Sequence, residues 1–168
     1  MNNHTLELAR RAVAEVRDPE MPMLTLADLG VLREVSLHEG RIVVTITPTY
    51  SGCPAMSAIR ADVAKTLSAA GFPDIEIRTA LSPAWSSDWI TATGRRKLAR
   101  HGIAPPGRAP ARSKGPIPLT LKTRPPAVPC PRCTSADTKQ VSEFGATPCK
   151  SLHRCRSCLE PFERVKEI

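Results

Sequence analysis

The stretch Thr47-Pro48-Thr49-Tyr50-Ser51-Gly52-Cys53-Pro54-Ala55-Met56 joins two segments of different periodicity. Ahead of it, Arg41-Ile42-Val43-Val44-Thr45-Ile46-Thr47 alternates and reads as a β-strand. Behind it, apolar residues at Met56, Ile59, Val63 and Leu67 recur at the spacing of an amphipathic helix over 55–70. Gly52 permits the tight turn between them, and Pro54 suits a first helical position, where its missing N–H costs nothing. The pattern predicts Cys53 at or just before a helix N-terminus, a setting that favours the thiolate, the form that attacks electrophiles and holds metals. Ser51 and Gly52 stand beside it as supporting positions. The competing reading is a half-buried turn cysteine that serves only as a small apolar residue.

Working outward, Leu6, Ala9, Val13 and Val16 mark an N-terminal helix with Thr5 or Asn3 as its cap. The two prolines of Asp18-Pro19-Glu20-Met21-Pro22-Met23 then forbid regular helix. Asp28-Leu29-Gly30 reads as a short turn, and 31–37 with 41–47 as a β-hairpin around His38-Glu39-Gly40. The helix after Cys53 ends at Gly71, and Asp74-Ile75-Glu76-Ile77-Arg78 is a further strand. The order α-β-β-α-β predicts a small α/β domain with helices on a three-stranded sheet. Asp18, Glu20 and Asp28 are acidic groups in irregular backbone. They are read as solvated loop charges or, if the Asp18 loop approaches Cys53, as ligands or acid–base groups. Trp85 and Trp89 read as a turn packed on this domain, or as a docking surface, and 91–102 as a short basic helix stopped by Gly102.

The net charge of +8 is unevenly spread: −3 over 1–93, +9 over 94–129, where there is no acidic residue, and +2 over 130–168. Residues 104–129 hold eight prolines in 26 positions, the composition of an extended linker rather than a core. The expected division is therefore 1–103, a linker at 104–129, and a third part at 130–168. No apolar run approaches the ~18 residues of a membrane helix, and no basic-then-apolar leader is visible. These features point to a cytoplasmic protein with reduced cysteines.

The last part reads Cys130-Pro131-Arg132-Cys133, 21 residues, then Cys155-Arg156-Ser157-Cys158. Two C-x2-C pairs at this separation match a four-cysteine zinc site, and a piece this short needs such a staple to fold. Two disulfides, or an iron–sulfur cluster on the same four cysteines, are the alternatives. Arg132, Arg154 and Arg156 are placed to offset the charge of four thiolates. Cys149 is read as a core residue or a ligand for another metal, and His153 as a competing ligand. His4, His38 and His101 are read as surface residues.

Asp18-Pro19-Glu20 with Asp28-Leu29-Gly30 and the Thr47–Met56 turn resembles the SufT-like iron–sulfur assembly-factor family over about residues 5–80. Pro48 to Pro54, Ser86-Ser87-Asp88-Trp89, Gly94-Arg95-Arg96-Lys97-Leu98 and the two C-x2-C pairs resemble the PaaD (PaaJ) family of accessory proteins of phenylacetyl-CoA epoxidase, over nearly the whole chain outside the linker. That resemblance implies an accessory, non-catalytic component in aerobic phenylacetate degradation, working beside a di-iron oxygenase and a flavin, iron–sulfur reductase. It implies help with iron or iron–sulfur cofactor assembly, with the reactive cysteine at Cys53 and the acidic loop at Asp18 and Glu20. One cysteine cannot saturate a cluster, so a site bridged between two chains in a homodimer is one arrangement. Two other functions stand against it. A thiol enzyme would need a base near Cys53, and neither His4 nor His38 is well placed in sequence. A nucleic-acid- or protein-binding zinc ribbon would use the basic linker, but it lacks interleaved aromatic residues.

Overall fold

The computed structural model describes residues 3–110 and 127–168. Most of the linker expected at 104–129, its residues 111–126, lies outside them. The chain divides into two compact units, Met1–Lys97 and Leu98–Ile168.

The first unit carries α1 (Asn3–Ala14), α2 (Leu26–Leu29), β1 (Leu32–His38), β2 (Arg41–Ile46), α3 (Met56–Ala69) and β3 (Ile75–Thr79). The sheet order is β1-β2-β3, antiparallel in the hairpin and parallel between β2 and β3. The hairpin turns through Glu39 and Gly40, both at positive φ, which matches the right-handed twist of the flanking strands. Parallel β2 and β3 require a crossover, and α3 supplies it. α1 lies against β1 and α3, and α3 against β3.

Ala9 and Val13 of α1, and Ile59, Val63 and Leu67 of α3, are buried, as their spacing predicts. The central strand departs from simple alternation. Ile42, Val43 and Val44 are all buried, because β2 is the middle strand with β1 and β3 on either side.

Asp28-Leu29-Gly30 is more than a turn. It ends a single helical turn, α2, closed by a capping box: Thr25 Oγ1 accepts from Asp28 N, and Asp28 Oδ2 accepts from Thr25 N. Thr25-x-x-Asp28 is the sequence signal for it. Gly30 follows at φ +69. Onto α2 folds the segment with a 3-10 turn at Ser87–Trp89 and the start of α4 (Ala92–Arg100). Trp85 Nε1 donates to Leu29 O at 2.9 Å and is buried, which favours the packing reading of this aromatic pair. A Cβ at Gly30 would lie 2.6 Å from Trp89 Cβ, and one at Gly94 2.8 Å from Asp28 O. Both glycines let backbones approach where a side chain would not fit.

The second unit contains β4 (Ile103–Ala104), β5 (Thr138–Ser142), β6 (Lys150–Cys155) and β7 (Pro161–Val165), in the order β4-β7-β6-β5. β5, β6 and β7 form an antiparallel meander, and β4 runs parallel to β7. Ile103 and Ala104, far ahead of the cysteines in sequence, thus belong to this sheet. Among the described residues, Ala104, Val128, Cys130, Cys155 and Phe162 form a buried cluster in it. An ion pair joins buried Lys150 Nζ to half-buried Glu163 Oε2 at 2.7 Å, and Ala146 N also donates to Glu163.

Candidate metal centre and thiol site

Each C-x2-C pair sits in a tight loop. In the first, Thr134 N donates to Cys130 O and Cys130 N to Ser135 O, both at 2.9 Å. In the second, Cys155 N donates to Glu160 O at 3.0 Å, and Cys158 N points at Cys155 Sγ at 3.5 Å. The residue after each pair, Thr134 or Leu159, lies at positive φ (61° and 64°). The two loops therefore share one backbone device, although neither uses glycine there.

These loops bring the sulfurs of Cys130, Cys133, Cys155 and Cys158 within 4.8 Å of one another. Cys130 and Cys158 Sγ are 3.7 Å apart, and Cys133 and Cys155 Sγ 3.5 Å. A zinc ion with Zn–S bonds of about 2.3 Å has sulfur–sulfur edges of about 3.8 Å, whereas a disulfide needs about 2.05 Å. The donor set thus fits a four-thiolate metal ion, and none of the six cysteines is joined in a disulfide.

The electrostatics agree. Hydrogen bonding, first from the Cys158 N–H, brings the Cys155 thiol down to about 6. The Glu160 N–H lowers Cys158 too, but burial and the neighbouring Cys133, Cys155 and Cys130 sulfurs outweigh it and push that thiol up to about 12. Cys155 thus forms a thiolate readily, whereas Cys158 resists until a cation is present. Arg132 pairs with Glu160 at 3.4 Å, Arg156 with Asp137 at 3.8 Å, and Arg154 donates to Leu159 O, so these arginines also tie down the loops.

Cys149 and His153 lie outside this cluster. Cys149 is buried, its Sγ 3.0 Å from Thr147 Oγ1. His153 is buried, stacked on Phe162, with Nε2 2.9 Å from Ser151 Oγ. Burial, and then the charge of Arg164, lower its pKa.

In the first unit, Cys53 lies between β2 and α3, half-buried, with exposed Ser51, Gly52 and Pro54 around it. Cys53 N donates to Tyr50 O at 3.2 Å, and Cys53 O accepts from Met56 N at 3.4 Å. The turn is longer than the sequence predicts. Pro54 is not the first helical residue: it and Ala55 form a further turn, and α3 starts at Met56 with Ala55 as N-cap and no side-chain cap. The physical reason is that Pro54 and Ala55 are taken up in the turn closed by Met56 N on Cys53 O, so the α-helical bonds begin later, with Ile59 N on Ala55 O at 2.9 Å.

Asp18 is buried, and its Oδ1 accepts from Glu20 N at 2.9 Å and Met21 N at 2.8 Å, bonds that shape its own loop. Glu20 is half-buried on that loop. Asp28 is fully engaged: besides the capping box, it binds Lys97 Nζ at 2.5 Å and accepts from Thr91 Oγ1 at 3.3 Å. No local pattern marks Lys97 as its partner, because 69 residues separate the two. His38 ends β1 opposite Arg41, the first residue of β2, whereas Cys53 follows the other end of β2. A six-residue strand puts roughly 17 Å between those ends, so His38 is no base for the thiol.

Two family models match the chain. One, described as an iron–sulfur cluster assembly protein, covers residues 7–80, and the other, a PaaD zinc beta ribbon domain, covers 114–166. A protein from Escherichia coli (strain K12), provisionally named as the D component of 1,2-phenylacetyl-CoA epoxidase, is 40% identical over 156 residues, 93% of this chain and 89% of the relative. An Fe-S protein maturation auxiliary factor from Porphyromonas gingivalis is 33% identical over 103 residues, 58% of this chain and 97% of that protein. Among solved structures, a DUF59 domain of unknown function from Bacillus anthracis superposes with a TM-score of 0.53 at 28% identity, over 56% of this chain and 92% of that one. An assembly-type domain carrying one turn cysteine, followed by a ribbon carrying four clustered cysteines, places the chain in the PaaD family.

Proposed function

We propose that this protein is a non-catalytic accessory component of a phenylacetyl-CoA epoxidase system, acting in the cytoplasm of its cell. It assists iron or iron–sulfur cofactor assembly in the oxygenase and reductase subunits through Cys53. The observation that carries this reading is the division of labour among the cysteines. Four cluster in the ribbon, two of them inside its core, as in a closed structural site. Cys53 stands apart, half-buried in a turn with exposed neighbours, in the part that resembles iron–sulfur assembly proteins. In this reading Cys130, Cys133, Cys155 and Cys158 hold zinc, which supplies folding energy and no chemistry.

The iron or cluster is cargo. Cys53 offers one thiolate, so the remaining ligands come from a recipient protein or from a second copy of the chain. In this reading the acidic loop of Asp18 and Glu20 supports the site, and Ser51 and Gly52 are exposed positions beside the thiol.

The test is Cys53→Ala in cells that depend on the epoxidase, together with anaerobic metal and sulfide analysis of both proteins. Expected are unchanged zinc in the variant, loss of any iron and sulfide bound by the wild type, and an epoxidase depleted of cofactor. Full epoxidase activity and cofactor content with Cys53→Ala would sink the proposal.

A further inference from the structure

The ribbon unit contains a cavity of about 550 Å³ that the function proposed above does not use. Its charged wall is mostly cationic. Lys139 reaches it from β5, Arg156 from the second cysteine loop and Arg164 from β7, against a single carboxylate, Asp137. Asp137 is already 3.8 Å from Arg156. Lys139 makes no ion pair among the described residues. Arg164 pairs with Glu167 through one terminal nitrogen, while its Nε is buried with no hydrogen-bond partner among the described residues. A buried guanidinium donor left unmade is costly, and an oxyanion is the group that relieves it. Ala127, Val128 and Ala136 supply an apolar wall beside these cations. The basic stretch at 94–129 has no acidic residue, so that part of the chain cannot bring the missing negative charge.

We infer that this cavity is a binding site for a small phosphorylated molecule, its phosphate held by Lys139, Arg156 and Arg164 and its body lying against Ala127, Val128 and Ala136. Several cations converging on one space favour a dianion over a single carboxylate, and the arginine fork matches phosphate oxygens in pairs. The volume falls within the roughly 300–1,000 Å³ of small-ligand sites and far exceeds the size of a bare oxyanion. A concave site of this kind suits a small molecule better than the side chain of a flat protein surface.

The test is calorimetric titration of the full-length, zinc-loaded protein with AMP, inorganic phosphate and adenosine as probes, at low and physiological salt. AMP is expected to bind more tightly than inorganic phosphate, adenosine not measurably, and AMP binding to weaken with salt. Lys139→Gln, at an exposed position, is expected to weaken AMP binding about tenfold, and Arg164→Gln by at least as much. If Arg164→Gln fails to fold, Lys139→Gln still decides the matter. Equal AMP affinity in wild type and Lys139→Gln would overturn the inference, as would no binding of any probe. A glutamate-rich peptide binding more tightly than AMP would also overturn it, in favour of an acidic protein partner. None of these outcomes bears on Cys53, so this site and the assembly role stand or fall separately.

Discussion

Asp28 shows how much one residue can organise. It is 7% exposed, yet it closes the α2 capping box, binds Lys97 and receives Thr91. Burial alone would raise its pKa, but the Lys97 ammonium and the Thr25 donors outweigh that and hold it below the ordinary 3.8. A lowered folded pKa means that its stabilisation is fully present above the unfolded value. It is lost as the pH falls through the lower folded value. Asp28→Asn keeps the shape but leaves Lys97 without its charge partner, at an expected cost of about 1–3 kcal/mol at neutral pH. Urea unfolding of both proteins checks this, and the gap between them should close in acid below the carboxylate range. A gap that stays constant down to that range would mean that the charge of Asp28 is not what matters.

At the scale of elements, α4 sits where it does because position 94 has no side chain. Alanine is the better helix former by about 1 kcal/mol, which on propensity alone predicts that Gly94→Ala stabilises. The approach of Asp28 O to 2.8 Å from the added Cβ argues the opposite, since backbone on both sides must shift. Overpacking of this kind costs about 1–3 kcal/mol, so the variant is expected to lose stability overall. Thermal unfolding checks it, and a higher Tm than wild type would show that α4 yields easily. The legibility of the elements follows the range of the interactions that set them. α1, the hairpin, α3 and β3 rest on local periodicity and turn residues, and their positions are readable in the sequence. The strap at 81–97 rests on contacts to Leu29, Gly30 and Asp28, which no local pattern announces.

At the scale of the whole molecule, the two units depend on different forces. The first buries Leu24, Leu26, Leu29, Ile42, Ile46, Ile59 and Leu67 in an ordinary apolar core. Among the described residues, the second has a small hydrophobic cluster in which two of five members are Cys130 and Cys155 of the four-cysteine group. Removing the metal should therefore unfold the second unit alone. Chelation at neutral pH is expected to abolish slow amide exchange in β5, β6 and β7 while leaving the protection of β2 and α3 intact. Retained protection in β6 after complete chelation would show that the sheet stands without metal.

By itself, the sequence determined the α-β-β-α-β order, the cysteine turn and the four-ligand pattern, because each is written in spacings of a few residues or in paired motifs. Only the tertiary structure decided that Asp28 meets Lys97, that Cys149 and His153 lie outside the metal cluster, and that Ile103–Ala104 completes the ribbon sheet. The same holds for the cationic cavity of Lys139, Arg156 and Arg164. Asp28 with Lys97 and Ile103–Ala104 with β7 are meetings of residues far apart in the chain, and all of these arrangements are made by packing and register, which no local spacing encodes.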